Sequence, residues 1–291
     1  MISIIICSRN TIIDPILGNN IKNTIGVPYE IIIIDNSDNR LSIFEAYNEG
    51  AARSLYPYLC FMHDDIEYQT TDWGKIVAKH FSDEQTGAIG IAGSPYAAQM
   101  PGSWWAGGLV NINIIPWYSK NNKPDFLTCP ETSLNKNRVI TLDGVWFCLK
   151  KELFTKIRFD DINFKGFHFY DIDISLQIHQ LGYKLYCVFD ILIAHFSKGD
   201  MNKNWIENAF ILKNKWEQVL PASCIKLTYT QQCKAELKTI RELVLTMLQN
   251  KDRHKNAYKK ALMELGRFYK GYFYPPILFQ LIKYFIGSIF Y

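Results

Sequence analysis

The chain has 291 residues, of which 48% are hydrophobic, 14% aromatic and 21% charged, a composition suited to one large globular domain or one domain with an appendage. A formal net charge of +4 is too weak to imply nucleic acid by itself. Seven cysteines, odd in number and without a CxxC pair, suit a reducing compartment and argue against a disulfide framework or a zinc ribbon.

The opening MISIIICSRN is apolar but has no basic n-region and breaks at Ser8 and Arg9, so it reads as a strand over 2–6 rather than a signal peptide. A helix or loop follows, with Pro15 near its start. EIIII (30–34) is a second strand; both runs are β-branched and apolar on both faces, as in a buried parallel sheet. Residues 42–55 predict a helix whose start is marked by the Ser42/Glu45 capping box. YLCFM (58–62) is a third strand, 71–81 a helix and 86–94 another strand. Residues 95–137 are rich in loop formers, and 139–154 predict a strand pair or a strand, turn and helix. Residues 170–183 predict a helix ending at a C′ glycine, Gly182. Two short strands follow, and beyond about residue 200 the pattern is helical. No run of 18 uncharged apolar residues predicts a spanning helix.

Alternation of strand and helix predicts an α/β doubly wound sheet, and such sheets bind ligands outside the carboxyl ends of their strands. Three polar bursts stand at those ends: Cys7 to Asn10, Asp35 to Asn39, and His63 to Asp65. Adjacent carboxylates there suit a hard divalent cation that completes its shell with phosphate oxygens, although turn chemistry alone also places paired Asp residues in loops. Asp171 and Asp173 open the helix at 170. One of them suits a capping role at the positive end of the helix dipole and the other a general base. His195, after the apolar run ILIA, is either a core histidine or an imidazole ligand beside that metal. Lys198 is a phosphate contact or a solvated loop lysine. Trp104 and Trp105, between glycines in GSWWAGG, are a stacking surface for sugars or bases, or core anchors. The chain contains no GxGxxG after the first strand, no GxxxxGK[ST] and no GxSxG, which disfavours nicotinamide dehydrogenases, P-loop NTPases and nucleophile-elbow hydrolases.

In this order the motifs resemble family-2 glycosyltransferases of GT-A fold, in particular a bacterial glycosyltransferase-like subgroup, over residues 1–200. ISIIICSRN resembles the first strand and its nucleobase-flanking turn, which implies that Cys7, Ser8 and Arg9 line the nucleotide. EIIIIDNSD resembles the VDDGS strand, with Asp35 as the base-contacting carboxylate, and Asn48 in AYNEG matches the Asn of ARNxG. FMHDD resembles FLDxD, with Asp64 on the nucleotide and Asp65 on the metal; a histidine, His63, replaces the first acidic residue. TLDGVWFCLKKELF resembles the acceptor-lining SGxxxxxRRE segment, which implies Asp143, Gly144 and Trp146 on the acceptor side with Trp104 and Trp105. YDIDISLQIHQLGYK resembles EDxDLxxRxxxxGY, whose Asp is the catalytic base, here Asp171, with Asp173 as the second candidate. Tyr170 and Gln177 stand where that pattern has Glu and Arg. IAHF supplies the late metal histidine, His195, and His63 flanks the same ion.

The resemblance implies a Mn²⁺- or Mg²⁺-dependent inverting glycosyltransferase. It would use a nucleotide-sugar donor, expected to be a UDP-sugar, and a glycan or lipid-linked acceptor in surface polysaccharide synthesis. Two alternatives are a GT-A domain that binds nucleotide-sugar or glycan without turnover, and a sugar nucleotidyltransferase, which would want more basic residues than Arg9 after the first strand. The expected domains are 1–200, nucleotide-sugar binding and catalysis, and 201–291, a helical C-terminal region. Residues 251–270 hold seven Lys/Arg against two Asp/Glu and precede an aromatic, nearly uncharged tail. Peripheral contact with an anionic membrane and packing on the core or a second subunit are both open there. The expected location is the cytoplasm, with the inner face of the membrane as the site of any such contact.

Overall fold

The computed structural model describes residues 1–116, 135–197 and 199–250. Lys198, the middle of the 95–137 loop and the basic–aromatic segment after 250 lie outside the described residues.

The first strand, β1 (Ile2–Ser8), is buried on both sides: Ile5 packs into one apolar cluster, and Ile2, Ile4 and Ile6 into the other. α1 (Pro15–Thr24) starts where Asp14 caps the Ile16 N–H and proline occupies the first turn. β2 (Tyr29–Asp35) follows, then α2 (Ile43–Arg53), whose Ser42/Glu45 capping box forms in both directions. β3 (Tyr58–Met62) leads through a tight turn into the short β4 (Ile66–Tyr68), and α3 (Trp73–His80) comes next.

The strand expected over 86–94 is two. β5 (Thr86–Gly90) joins the large sheet, and after Ile91 the chain changes partners, so that β6 (Ala92–Ser94) enters a small sheet. Short strands follow: β7 (Tyr96–Ala97), β8 (Asn111–Ile112), β9 (Ile114–Pro116), β10 (Lys136–Val139) and β11 (Thr141–Leu142). β12 (Trp146–Lys150) runs into a 3₁₀ turn at Lys151–Thr155. α4 (Tyr170–Gln180) ends at Gly182, whose φ of +85° is the left-handed C′ conformation that a side chain would strain. β13 (Lys184–Val188), β14 (Ile193–His195), α5 (Lys203–Lys215), β15 (Ala222–Ser223) and α6 (Tyr229–Gln249) complete the described chain.

The large sheet has the order β10-β13-β5-β12-β3-β1-β2. β2, β1, β3, β5 and β13 run one way, and β12 and β10 run against them. The sheet is therefore mostly parallel with helices on both faces, the α/β class expected from the strand–helix alternation. α1 and α3 cover one face through Leu17, Ile21, Trp73 and Val77. α2, α4, α5 and α6 contribute Phe44, Tyr170, Trp205 and Ile240 to the cluster on the other. Helices beyond residue 200 thus share a core with the sheet. Among the described residues no helix is long and apolar enough to cross a membrane.

Register positions the site. Ser8 lies opposite Asp35, and Ile6 opposite Met62, so three carboxyl ends finish level. β12 is antiparallel to β3 with Trp146 opposite Met62, which brings the residues before β12, Asp143 and Gly144, to the same edge.

Candidate active site and metal cluster

His63 to Asp65 form the turn between β3 and β4, and the His63 N–H is tied to the Val145 carbonyl (3.0 Å). β4 pairs antiparallel with β14, with Ile66 opposite His195, and the Phe196 N–H donates to the Asp65 carbonyl (3.1 Å). A two-strand register thereby sets a histidine 130 residues away beside Asp65. His195 Nε2 is 3.5 Å, and His63 Nδ1 3.8 Å, from the same oxygen, Asp65 Oδ1. One ligand atom from each of the three lies within 4.8 Å of the others. Burial pushes the Asp65 carboxyl up, but hydrogen bonds with His195 and Ser197 and the nearby imidazoles outweigh it and hold the pKa at about 2. Burial, with His195 alongside, holds His63 below the usual imidazole range. An ionised carboxylate and a neutral imidazole are the forms that ligate a cation, and two imidazoles with one carboxylate suit a divalent transition metal.

Asp64 turns the other way, exposed, and accepts from the Ser8 hydroxyl (2.6 Å). Cys7 precedes it on β1; burial, with the Asp64 charge adding, raises its thiol to about 11, so it is a neutral wall rather than a nucleophile. Arg9 and Asp35 are exposed at the same edge. Asp35 accepts from the Ser37 N–H (3.0 Å), and that backbone hydrogen bond keeps its pKa low.

Asp171 is half-buried in the first turn of α4. Its Oδ2 accepts from the Gly144 N–H (2.9 Å) and its Oδ1 from the Ile172 N–H (2.9 Å). Burial first, and then the charge of Asp143, push its pKa up to about 7, and these two hydrogen bonds only partly offset the rise. Asp143 in turn accepts from the Trp104 indole N–H (2.8 Å), which fastens the tryptophan loop to this corner. Trp105, 45% exposed, meets Trp104 edge-on (centroids 5.4 Å apart).

Two expected residues are fully buried, and a third is engaged by a neighbouring loop. Asp173, two positions along α4, is fully buried. It accepts from Lys215 (2.8 Å), the Trp216 indole (2.9 Å) and Gln177 (2.8 Å), a set of partners that fastens α4 to the end of α5 and leaves no room for a substrate proton. Trp146 is fully buried and donates to the Tyr68 hydroxyl (2.8 Å), so it is a core anchor and lines no acceptor pocket. The Asn48 amide donates to the Phe159 carbonyl (2.8 Å) and accepts from its N–H (3.0 Å), a structural tie between α2 and the 159–161 loop.

One residue at the centre has no role legible from its place in the chain. Tyr170 is 3% exposed, and its hydroxyl lies 3.2 Å from His63 Nε2. Its ring passes so close to Gly144 that a Cβ there would sit 2.1 Å from the hydroxyl oxygen. Its only sequence signal is that it stands beside Asp171 where the family pattern has an acid. Gly144 thus has two tasks, admitting the Tyr170 ring and presenting its N–H to Asp171.

Solved structures with similar backbones include GalNAc-T7 with UDP, GalNAc and Mn²⁺, at 16% identity and a TM-score of 0.49 over 68% of this chain and 43% of that one. They also include the mannosyltransferase PcManGT from Pyrobaculum calidifontis in complex with GDP-Man and Mn²⁺, at 12% identity and a TM-score of 0.48 over 99% and 86%. This chain spans less than half the length of the first. No curated protein matches it in sequence. Residues 4–219 match the sequence profile described as Glycosyltransferase like family, and the chain belongs to that family.

Proposed function

We propose that the chain is a metal-dependent inverting glycosyltransferase that moves a sugar from a nucleotide-sugar, a UDP-sugar in the first instance, to a hydroxyl of a glycan or lipid-linked acceptor. One observation carries this reading: a His63–Asp65–His195 cluster at the strand ends, beside a half-buried carboxylate, Asp171, whose pKa is raised to about 7.

His63, Asp65 and His195 would hold the cation. Bound there, a divalent ion neutralises charge on a departing diphosphate. Ser8, Arg9, Asp35 and Asp64 line the edge on which the nucleotide would lie. Asp171 is held by two backbone N–H groups and is basic enough near neutral pH to accept a proton from an acceptor hydroxyl. As that oxygen bonds to the anomeric carbon, the bond from this carbon to the diphosphate oxygen breaks and the proton passes to Asp171. One protein carboxylate suffices for in-line displacement, so the anomeric configuration inverts. Asp143, with Trp104 and the exposed face of Trp105, forms the acceptor side.

Thermal melting with a panel of nucleoside diphosphates, each with and without Mn²⁺, tests this, because a ligand of the folded state raises the midpoint by mass action. The expected result is a Mn²⁺-dependent rise with one nucleotide that vanishes in Asp65→Ala. A panel without any shift would refute the nucleotide-sugar site.

A further inference from the structure

The turn before α4 holds a phenylalanine against the metal cluster. Gly166 (φ +74°) and Phe169 (φ +71°) are both left-handed and bracket Phe167 and His168. Glycine takes that conformation freely, whereas phenylalanine keeps it only where its surroundings over-determine it. Here they do. The Phe169 ring is buried against Trp205, with centroids 5.1 Å apart. The Ile43 N–H donates to the Gly166 carbonyl (2.9 Å), and the buried Asn208 amide donates to the carbonyls of Lys165 (2.7 Å) and His168 (3.1 Å). Three carbonyls of the turn are thus fastened to the fold, yet the ring it presents is not a core ring. Phe167 is 47% exposed, and its ring centroid lies 5.6 Å from that of His63 and 5.7 Å from that of Tyr170.

A single exposed apolar side chain is ordinary and implies nothing by itself. Position sets this one apart. His63 belongs to the metal cluster, and Tyr170 directly precedes Asp171, so Phe167 touches both halves of the chemistry. In an in-line displacement the anomeric carbon stands between the departing diphosphate oxygen, at the cation, and the attacking hydroxyl oxygen, at the base. The transferred sugar therefore lies over the side chains that bridge cation and base. We infer that Phe167 is a specificity-determining residue for the donor: its exposed face stacks on the C–H face of the transferred pyranose. The negative face of an aromatic ring favours the weakly positive hydrogens that a pyranose gathers on one side, and the same contact covers apolar surface. The inference deepens the proposed reading and rests on it, because that reading is what puts a sugar between cation and base.

Two measurements on the full chain test the inference. The first is calorimetric titration, in Mn²⁺, of wild type, Phe167→Leu and Phe167→Trp with UDP-glucose, UDP-galactose and GDP-mannose, each against its bare nucleotide. Leucine keeps apolar bulk without an aromatic face, and tryptophan keeps the face. Phe167→Leu should lose about 2- to 12-fold in affinity for the nucleotide-sugar that the wild type binds best, the worth of an aromatic contact beyond its area. It should bind the bare nucleotide as the wild type does, and Phe167→Trp should bind both normally. Equal losses for nucleotide and nucleotide-sugar overturn the inference, since the ring would then only buttress His63. So does a Phe167→Leu protein that binds every nucleotide-sugar normally. The second is saturation-transfer NMR, which reads the wild type directly. Irradiation of its aromatic protons should saturate one face of the bound pyranose, and Phe167→Leu should lose that signal. Saturation of both faces alike, or of neither, overturns the inference. The same experiment with methyl glucoside, methyl galactoside and methyl mannoside needs no nucleotide and separates the two readings. One-face saturation of a glycoside by a protein that binds no nucleotide means that the nucleotide-sugar reading has failed and the sugar platform stands by itself.

Discussion

The two sides of the candidate site are built differently. The metal side is made at strand ends: Ser8, His63, Asp64 and Asp65 follow directly from β1 and β3, and His195 arrives through the register of β14 on β4. The tryptophan side hangs on a helix more than a hundred residues later. Glu236 of α6, fully buried, accepts from the Tyr96 hydroxyl (2.5 Å) and the Gln99 N–H (2.8 Å), and Glu242 accepts from the Ser103 N–H (2.8 Å). These carboxylates take the place of a backbone ladder that the loop, short of regular structure, lacks. The metal side is thus a by-product of sheet pairing, whereas the tryptophan side depends on carboxyl groups supplied by a helix more than a hundred residues later.

Substitutions can separate these regions. The largest effect belongs to the corner they share: Asp171→Asn should lower turnover by about 10²–10⁴-fold with a melting midpoint near the wild type. In the wild type turnover should rise with pH through about 7, because the base must be deprotonated, and the residual activity of the variant should lose that limb. Asp65→Ala should weaken Mn²⁺ binding by on the order of 100-fold or more, measured by titration, while leaving the fluorescence of the tryptophan loop unchanged.

Asp173→Ala tests the contrast within one helix. It breaks a buried ion pair and should cost about 3 kcal/mol in denaturant unfolding, the low end because Lys215 keeps 27% exposure. If it instead left stability intact and abolished turnover, Asp173 rather than Asp171 would be the base. Glu236→Ala leaves Tyr96 and Gln99 without their partner and should cost about 1–3 kcal/mol. It should raise the acceptor KM and leave Mn²⁺ affinity alone; an equal loss of metal binding would show that the two regions are one cooperative unit. The smallest effect is expected from Asp143→Asn. Removing this negative neighbour lowers the Asp171 pKa, so the acid limb of the pH profile should move to lower pH by less than the full rise, since burial contributes more than Asp143.

Much of this was legible in the chain. β1, β2 and β3, the Ser42/Glu45 cap and the Gly182 stop follow from local chemistry, because β-branched runs, capping side chains and a residue free to adopt positive φ act over a few positions. The polar bursts after apolar strands pointed to the edge where Ser8, Asp64 and Asp65 meet. What local chemistry could not decide is which of two similar side chains faces that edge. Asp171 and Asp173 are two residues apart and so lie on different sides of α4, and the packing of α4 against Lys215 and Trp216 buries one and leaves the other beside Gly144. Trp146 and Trp104 carry the same indole, yet one donates to Tyr68 inside the core and the other to Asp143 at the site. The place of Tyr170 was equally hidden: its hydroxyl reaches His63 only where Gly144 leaves room for its ring and Tyr47 packs edge-on against it, and these three come from separate stretches of chain. Local pattern determined the elements and the edge where chemistry is possible. Burial and partner, set by contacts between distant segments, decided which residues stand there.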